Sequence, residues 1–350
     1  MILLAKTLLR HNSRVLCRER AFEQSSQSDH RAWRQCACGA ASLAGPTANR
    51  SRRSNRLDSS GFTSDSCSFS AAFRDGLQKL GYSEGQNVTF EYRWADGDLE
   101  RLPGLVRDLV QQKVDVILAG GTSVAVAAQN ATRSIPIVMA GVSDPVDVGL
   151  VGNLAHPGGN ITGIVANLPD VAVKRLEILK EIIPRMTRVA VIWNPSSSNA
   201  QRESKGIKES ASGLRLALHF YEAQTVKQLQ NALSVIPKSS PDGLIVLNDP
   251  FVFTYRKNIA EFASQAKIPS IYGFSEYVTV GGLISYGTNI ADTYRRAAAQ
   301  VDKILKGAKP GDLPVELPRT LELMINKKTA NALGVLIPNS ILLRADKVIE

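Results

Sequence analysis

The sequence predicts an α/β protein of two Rossmann-like lobes with parallel sheets joined by a multi-segment hinge. Three observations carry this reading. Short continuous apolar runs alternate with amphipathic helical patterns from about residue 69 onward, as parallel strands covered on both faces require. The alternation occurs twice, as two successive series. The 350 residues, with 44% hydrophobic and 21% charged, suffice for two domains of ordinary size.

In the first series, Phe73, Leu77 and Leu80 mark a helix over 71–80 that stops at Gly81. Residues 88–94 alternate as a strand does. Leu102, Leu105, Val106, Leu109 and Val110 share one face of a helix over 99–111. Strands follow at 114–119, 135–140 and 161–165, with an Ala-rich helix over 123–132 between the first two. The second series has strands at 188–193, 214–221, 244–247 and 268–272, and helices at 199–213, 226–236 and 254–266. Beyond it come a strand at 283–286, a long helix over 290–306, a Pro-containing linker, a strand at 321–325 and a helix over 327–333. The expected division is lobe 1 from 69–165 plus about 290–315, and lobe 2 from 166–289 plus about 316–350.

The first series lacks its opening strand. Strand 188–193 leads through a polar loop into its helix, and Ser64–Ser68 is a comparable loop before helix 71–80. Residues 55–63, which should form the strand before that loop, are a poor candidate for one.

Residues 1–68 differ in composition from the rest. Residues 1–62 hold eleven Lys/Arg and four acids, so they carry +7 of the formal +10, and the remainder is near neutral. A nucleic-acid-sized basic patch is therefore not expected on the folded part. The segment reads as a disordered tail, as an organelle-type transit peptide, or as the product of a wrong start or reading frame. Met1–Leu9 is apolar but interrupted by Lys6, with Arg10 and Arg14 after it, the reverse of an export signal. All four cysteines, Cys17, Cys36, Cys38 and Cys67, lie here, so no disulfide framework is expected in the core. No run approaches the ~20 apolar residues of a membrane helix.

Ligands of parallel sheets bind where strands end and helices begin. The loops there hold Gly121, Thr122 and Ser123, then Ser143 and Asp144, then Asn194, Ser196 and Asn199, then Asn248 and Asp249. Tyr272, Phe274 and Tyr286 could add apolar contacts. An N-cap alone explains Thr122, Ser123 or Asp249, and single aromatics are more often core. Together the hydroxyls, amides, acids and aromatics suit a small zwitterion such as an amino acid.

Metal and cofactor chemistry is not expected. His11, His30, His156 and His219 form no metal-ligand spacing, and neither a P-loop nor GxGxxG occurs. One enzyme signal competes: Gly121-Thr122-Ser123-Val124-Ala125 follows a strand and opens a helix, as a serine hydrolase elbow does. Its acid and base would be Asp144 with His156 or His219.

Several segments in order resemble a known family. They are Ala71-Ala72-Phe73-Arg74-Asp75-Gly76-Leu77, Leu80-Gly81-Tyr82, Glu84-Gly85-Gln86-Asn87-Val88 and Glu91-Tyr92-Arg93-Trp94-Ala95. Ser143-Asp144-Pro145-Val146, Leu150-Val151, His156 to Gly163, and Asn194-Pro195 complete the set. Residues 69–350 thereby resemble the tryptophan/tyrosine-type substrate-binding proteins of ABC transporters, of the periplasmic binding protein type I fold. The resemblance implies a non-enzymatic receptor, periplasmic or membrane-anchored, that closes on a small solute and passes it to an ABC permease. It implies carboxylate contacts near Thr122 and Ser123 and polar contacts near Asn194 and Asp249. This sequence departs from the family where an export signal and a first strand should stand.

Overall fold

The computed structural model describes residues 2–7, 61–95, 98–167 and 170–350. The three readings of residues 1–68 fall largely outside the described residues.

The first sheet is built by β1 (Ile2–Thr7), β2 (Val88–Arg93), β3 (Val116–Gly120), β4 (Ile137–Ser143) and β5 (Ile161–Asn167), in the order β2-β1-β3-β4-β5. Helices α1 (Gly61–Lys79), α2 (Leu102–Gln111) and α3 (Thr122–Ala131) alternate with these strands. Strands β3, β4 and β5 are parallel. The empty place left by the missing first strand is taken by Ile2–Thr7, which pairs with β2 on one side and β3 on the other, antiparallel to both. A segment from the expected tail thus completes the sheet, in the opposite sense to a parallel α/β repeat.

The second half opens with α4 (Asp170–Ile182), in a stretch to which the sequence reading assigns no element. Then come β6 (Arg188–Trp193), α5 (Ser198–Ala211), β7 (Ala217–Glu222), α6 (Val226–Val235), β8 (Gly243–Val246), α7 (Pro250–Thr254), α8 (Arg256–Gln265), β9 (Ser270–Tyr272), α9 (Ser275–Thr279) and β10 (Ile284–Thr288). After α10 (Ile290–Leu305) come β11 (Leu321–Asn326), α11 (Lys327–Leu333), α12 (Asn339–Leu342) and β12 (Lys347–Ile349). The second sheet has the order β12-β11-β10-β9-β8-β6-β7. It is parallel except where β11 runs against β10.

Each sheet is covered on both faces, which is why its strands are continuously apolar. Leu118, Val138 and Ile164 face Phe73 and Leu77 of α1 and Ala297 and Val301 of α10. Ile117, Met139 and Val165 face Val106, Leu109 and Val124 of α2 and α3. The second sheet buries Val191, Ile245 and Ile325 against Leu176 and Leu179 of α4. Its other face buries Ile192, Leu244 and Val246 against Leu229 and Ile259.

The chain passes between the sheets at β5 to α4, at β10 to α10, and at α10 to β11. Helix α10 follows a strand of the second sheet yet packs on α1, β4 and β5. The return segment pairs with β5, where the Glu316 N–H donates to the Gly163 carbonyl at 2.9 Å and Val165 N–H to Glu316 at 2.9 Å. The Thr288 hydroxyl donates to the Ala166 carbonyl beside it. This is the hinge of several segments that the sequence predicts.

Candidate functional site

The carboxyl ends of β3 and β4 face those of β6 and β8 across a cavity of about 350 Å³, within the range of small-molecule sites. Of the residues expected to contact a ligand, Gly121, Thr122, Ser123 and Ser143 line it from the first sheet. Asn194, Ser196, Asn199, Asn248, Asp249 and Phe274 line it from the second.

The two sides differ in how their helix ends are satisfied. On the second side, Ser197 accepts from Ala200 N–H at the start of α5, and Asp249 accepts from Val252 N–H at 3.0 Å at the start of α7. On the first side, α3 begins at Gly121, whose φ of +94° and lack of a side chain leave no cap. The first N–H groups of a helix have no partner inside it and carry the positive end of its dipole. This uncapped end opens on the cavity, with the Ser123 hydroxyl beside it. Thr122 is partly engaged: its hydroxyl accepts from Ser143 N–H at 3.3 Å and ties the ends of β3 and β4 together.

Asp249 is buried. Besides its cap bond it accepts from Asn194 Nδ2 at 3.2 Å. Desolvation nonetheless holds its carboxyl above the ordinary carboxylate range. Asn194 is fixed in turn, since its Oδ1 accepts from Ser196 N–H at 2.9 Å. Asn199 Nδ2 donates to the Asn248 carbonyl at 3.0 Å.

Each side also contributes an aromatic pair. Phe69 of α1 stacks on Tyr294 of α10 at 5.5 Å, and Phe253 meets Phe274 edge-on at 5.4 Å. All four line the cavity. Only Phe274 is expected from sequence; Tyr294 lies inside the helical pattern over 290–306, where an aromatic reads as core, and Phe69 and Phe253 fall just before the helices expected over 71–80 and 254–266. A smaller space of about 70 Å³ adjoins the cavity, walled by Ala95, Leu99, Leu102, Val124 and Phe251.

Three expected contacts lie elsewhere. Tyr272 is wholly buried and stacks on Tyr277 at 4.3 Å in the core of the second half. Tyr286 packs against the opposite core of the same sheet. Strand alternation turns both away from the strand-end loops. Asp144 takes a φ of +44° that directs it past the cavity, toward Arg202 Nη1 of α5 at 3.6 Å. Arg202 also reaches Asp147 Oδ2 at 3.2 Å, so this ion cluster spans the two halves.

No histidine is among the residues lining the cavity. His156 lies in a loop and His219 in β7, so Ser123 has no base there and the hydrolase reading has no support. Among the described residues no group of His, Cys, Asp and Glu could hold a metal ion.

Residues 67–349 match the family described as ABC transporter substrate binding protein. The chain belongs to this family. As an ABC substrate-binding protein it is a solute binder rather than an enzyme, and its family acts on the extracytoplasmic side of the membrane. No helix of the described residues is long and apolar enough to cross a membrane. A relative from Clostridioides difficile, described as a tyrosine-binding protein, is 30% identical over 263 residues, 75% of each chain. An ABC domain in complex with L-Trp from Streptococcus pneumoniae is 28% identical, covers 81% of this chain and 94% of its own, and superposes with a TM-score of 0.75. A ligand-free, open substrate-binding protein with adhesive properties from Clostridium difficile shows the same identity and coverages, with a TM-score of 0.60. This ABC substrate-binding protein thus superposes more closely on the L-Trp complex than on the open form.

Proposed function

We propose that the protein captures an aromatic L-amino acid of the size of tyrosine or tryptophan between its lobes and delivers it to an ABC permease in the membrane. The observation that carries this reading is the pairing of an uncapped helix end on one side with a buried carboxylate on the other. The α3 N–H groups and Ser123 would take the ligand carboxylate, and Asp249 its ammonium. Gly121 lets the ligand approach the backbone, and Ser143, Asn194, Ser196, Asn199 and Asn248 complete the polar shell. The pairs Phe69–Tyr294 and Phe253–Phe274 suit a flat ring, for which offset or edge-on contacts are favourable. The ligands named for the two relatives agree with this chemistry.

A thermal-shift screen of the twenty amino acids tests it. At 100-fold over its dissociation constant a ligand adds ~2.7 kcal/mol, a rise of about 4 °C for a protein of this size. Shifts confined to aromatic amino acids are expected. A flat response to all twenty would sink the reading.

Closure is the working motion: a ligand touching both lobes favours the state in which they meet. The Arg202 cluster with Asp144 and Asp147 would stabilise that state without touching the ligand. It is partly exposed, so its contribution is about 0.2–1 kcal/mol and is screened by salt. Arg202→Ala is expected to raise the dissociation rate about 1.4- to fivefold near 20 mM salt, with the difference vanishing near 500 mM. Stopped-flow quenching of intrinsic fluorescence measures it, and an equal effect at both salt concentrations would refute the bridge.

A further inference from the structure

Beneath the cavity floor lies an ion pair that the binding chemistry does not use. Arg175 of α4 and Glu203 of α5 are both fully buried, with Arg175 Nη2 at 3.0 Å from Glu203 Oε1. A buried pair loses the hydration of both charges and is not in itself a source of stability. Arg175 is not fully satisfied either: its Nε and Nη1 have no hydrogen-bond partner among the described residues. Stability alone does not account for the arrangement.

What the pair does hold is Asn248. Glu203 Oε2 accepts from the Asn248 main-chain N–H at 2.9 Å, and Oε1 accepts from its side-chain Nδ2 at 3.0 Å. One turn earlier on the same face of α5, Asn199 donates to the Asn248 carbonyl. The N–H, the carbonyl and the amide of one cavity residue are thus gripped by a single helix. On its other side Asn248 is confined by Gly273, where an added Cβ would fall 1.9 Å from Oδ1. Asp249 follows directly in the chain.

We propose that Glu203 is a positioning residue for the ligand: its carboxylate, held by Arg175, fixes Asn248 and thereby sets the Asp249 carboxylate against the bound amino acid. Arg175 neutralises and orients Glu203. Neither side chain touches the ligand. The inference rests on the proposed amino-acid site and predicts a loss of affinity larger than the loss of stability.

The test uses the full chain. The variant carrying Arg175→Met and Glu203→Leu removes the pair without leaving a lone buried charge. The expected result is a thermal midpoint close to that of the parent, a Kd for L-tryptophan or L-tyrosine raised at least tenfold, and tenfold faster amide exchange at Asn248 without ligand. Exchange in β6 and β8 should not change. A Kd within twofold of the parent, with Asn248 exchange unchanged, would overturn the proposal. If the double variant does not fold, Glu203→Gln is measured by the same two readouts and the same limits decide. A parent that binds no aromatic amino acid would count against the amino-acid site alone. Asn248 exchange, read without ligand, would then still decide whether Glu203 fixes this corner.

Discussion

Asp249→Asn is expected to weaken binding of L-tryptophan or L-tyrosine by about 30-fold to more than 1,000-fold, as read by isothermal titration calorimetry. Removing one charge of a desolvated, hydrogen-bonded pair costs about 2–5 kcal/mol, much of it from leaving the partner ammonium unpaired. The substitution also gives up the bond from Asn194 Nδ2, which cannot donate to an asparagine NH2, but it keeps the cap. An asparagine Oδ1 can still cap α7 at Val252 N–H, and the side-chain volume is kept. The loss should therefore be an affinity loss in a folded protein. A folded Asp249→Asn protein that binds within threefold of the parent would remove the ammonium partner from the proposed site.

The same carboxyl fixes the direction of a pH effect. Burial raises Asp249 above its ordinary value of 3.8, so with falling pH the folded chain takes up this proton before the unfolded chain does. Stability from this group is then lost, not gained, as pH rises: the cost is absent below the ordinary value and complete above the raised one. Above the raised value the ligand-free protein carries a desolvated charge that an arriving ammonium compensates. Affinity should fall as pH drops through the raised value, and the Asn variant should show no such fall. The ligand-free Asn variant should lack this desolvation cost above the raised value.

Most of the architecture was legible because its strands are buried on both faces. Runs such as Val116 to Ala119 and Val189 to Ile192 need no partner information to be recognised. The loops at their ends follow from the same logic, which is why ten expected contacts line one cavity. What was illegible depends on direction and on partners distant in sequence. Tyr272 and Tyr286 stand near strand ends, but their side chains point into the two cores of one sheet. Asp144 has a suitable side chain, and its positive φ sends it to Arg202. Phe69 and Tyr294 face the cavity because α10, which the expected division assigns to lobe 1, packs beside α1, a side-chain pairing that no local pattern encodes. The pairing of Ile2–Thr7 between β2 and β3 is non-local in the same way.

Gly163→Ala is expected to destabilise the protein by at least about 4 kcal/mol, a fall in thermal midpoint of roughly 6 °C or more. Gly163 lies on β5 opposite Met139 of β4. Its φ is +143°, and a Cβ there would stand 2.3 Å from the Met139 carbonyl oxygen, 2.4 Å from its N and 2.7 Å from its Cα. All three atoms are main chain, so no rotamer change relieves the overlap. Met139 cannot retreat, because it is wholly buried and β4 is also paired with β3 through Ala119. The strain would have to separate two strands that lead into the cavity and the hinge, so ligand affinity should fall along with stability. Gly104→Ala serves as the opposite case. Gly104 is exposed in α2 with nothing within 4 Å of an added Cβ, and alanine there should stabilise by about 0.5–1 kcal/mol. Urea unfolding of both variants decides: equal midpoints would mean that the close approach of β4 and β5 at Met139 does not exist.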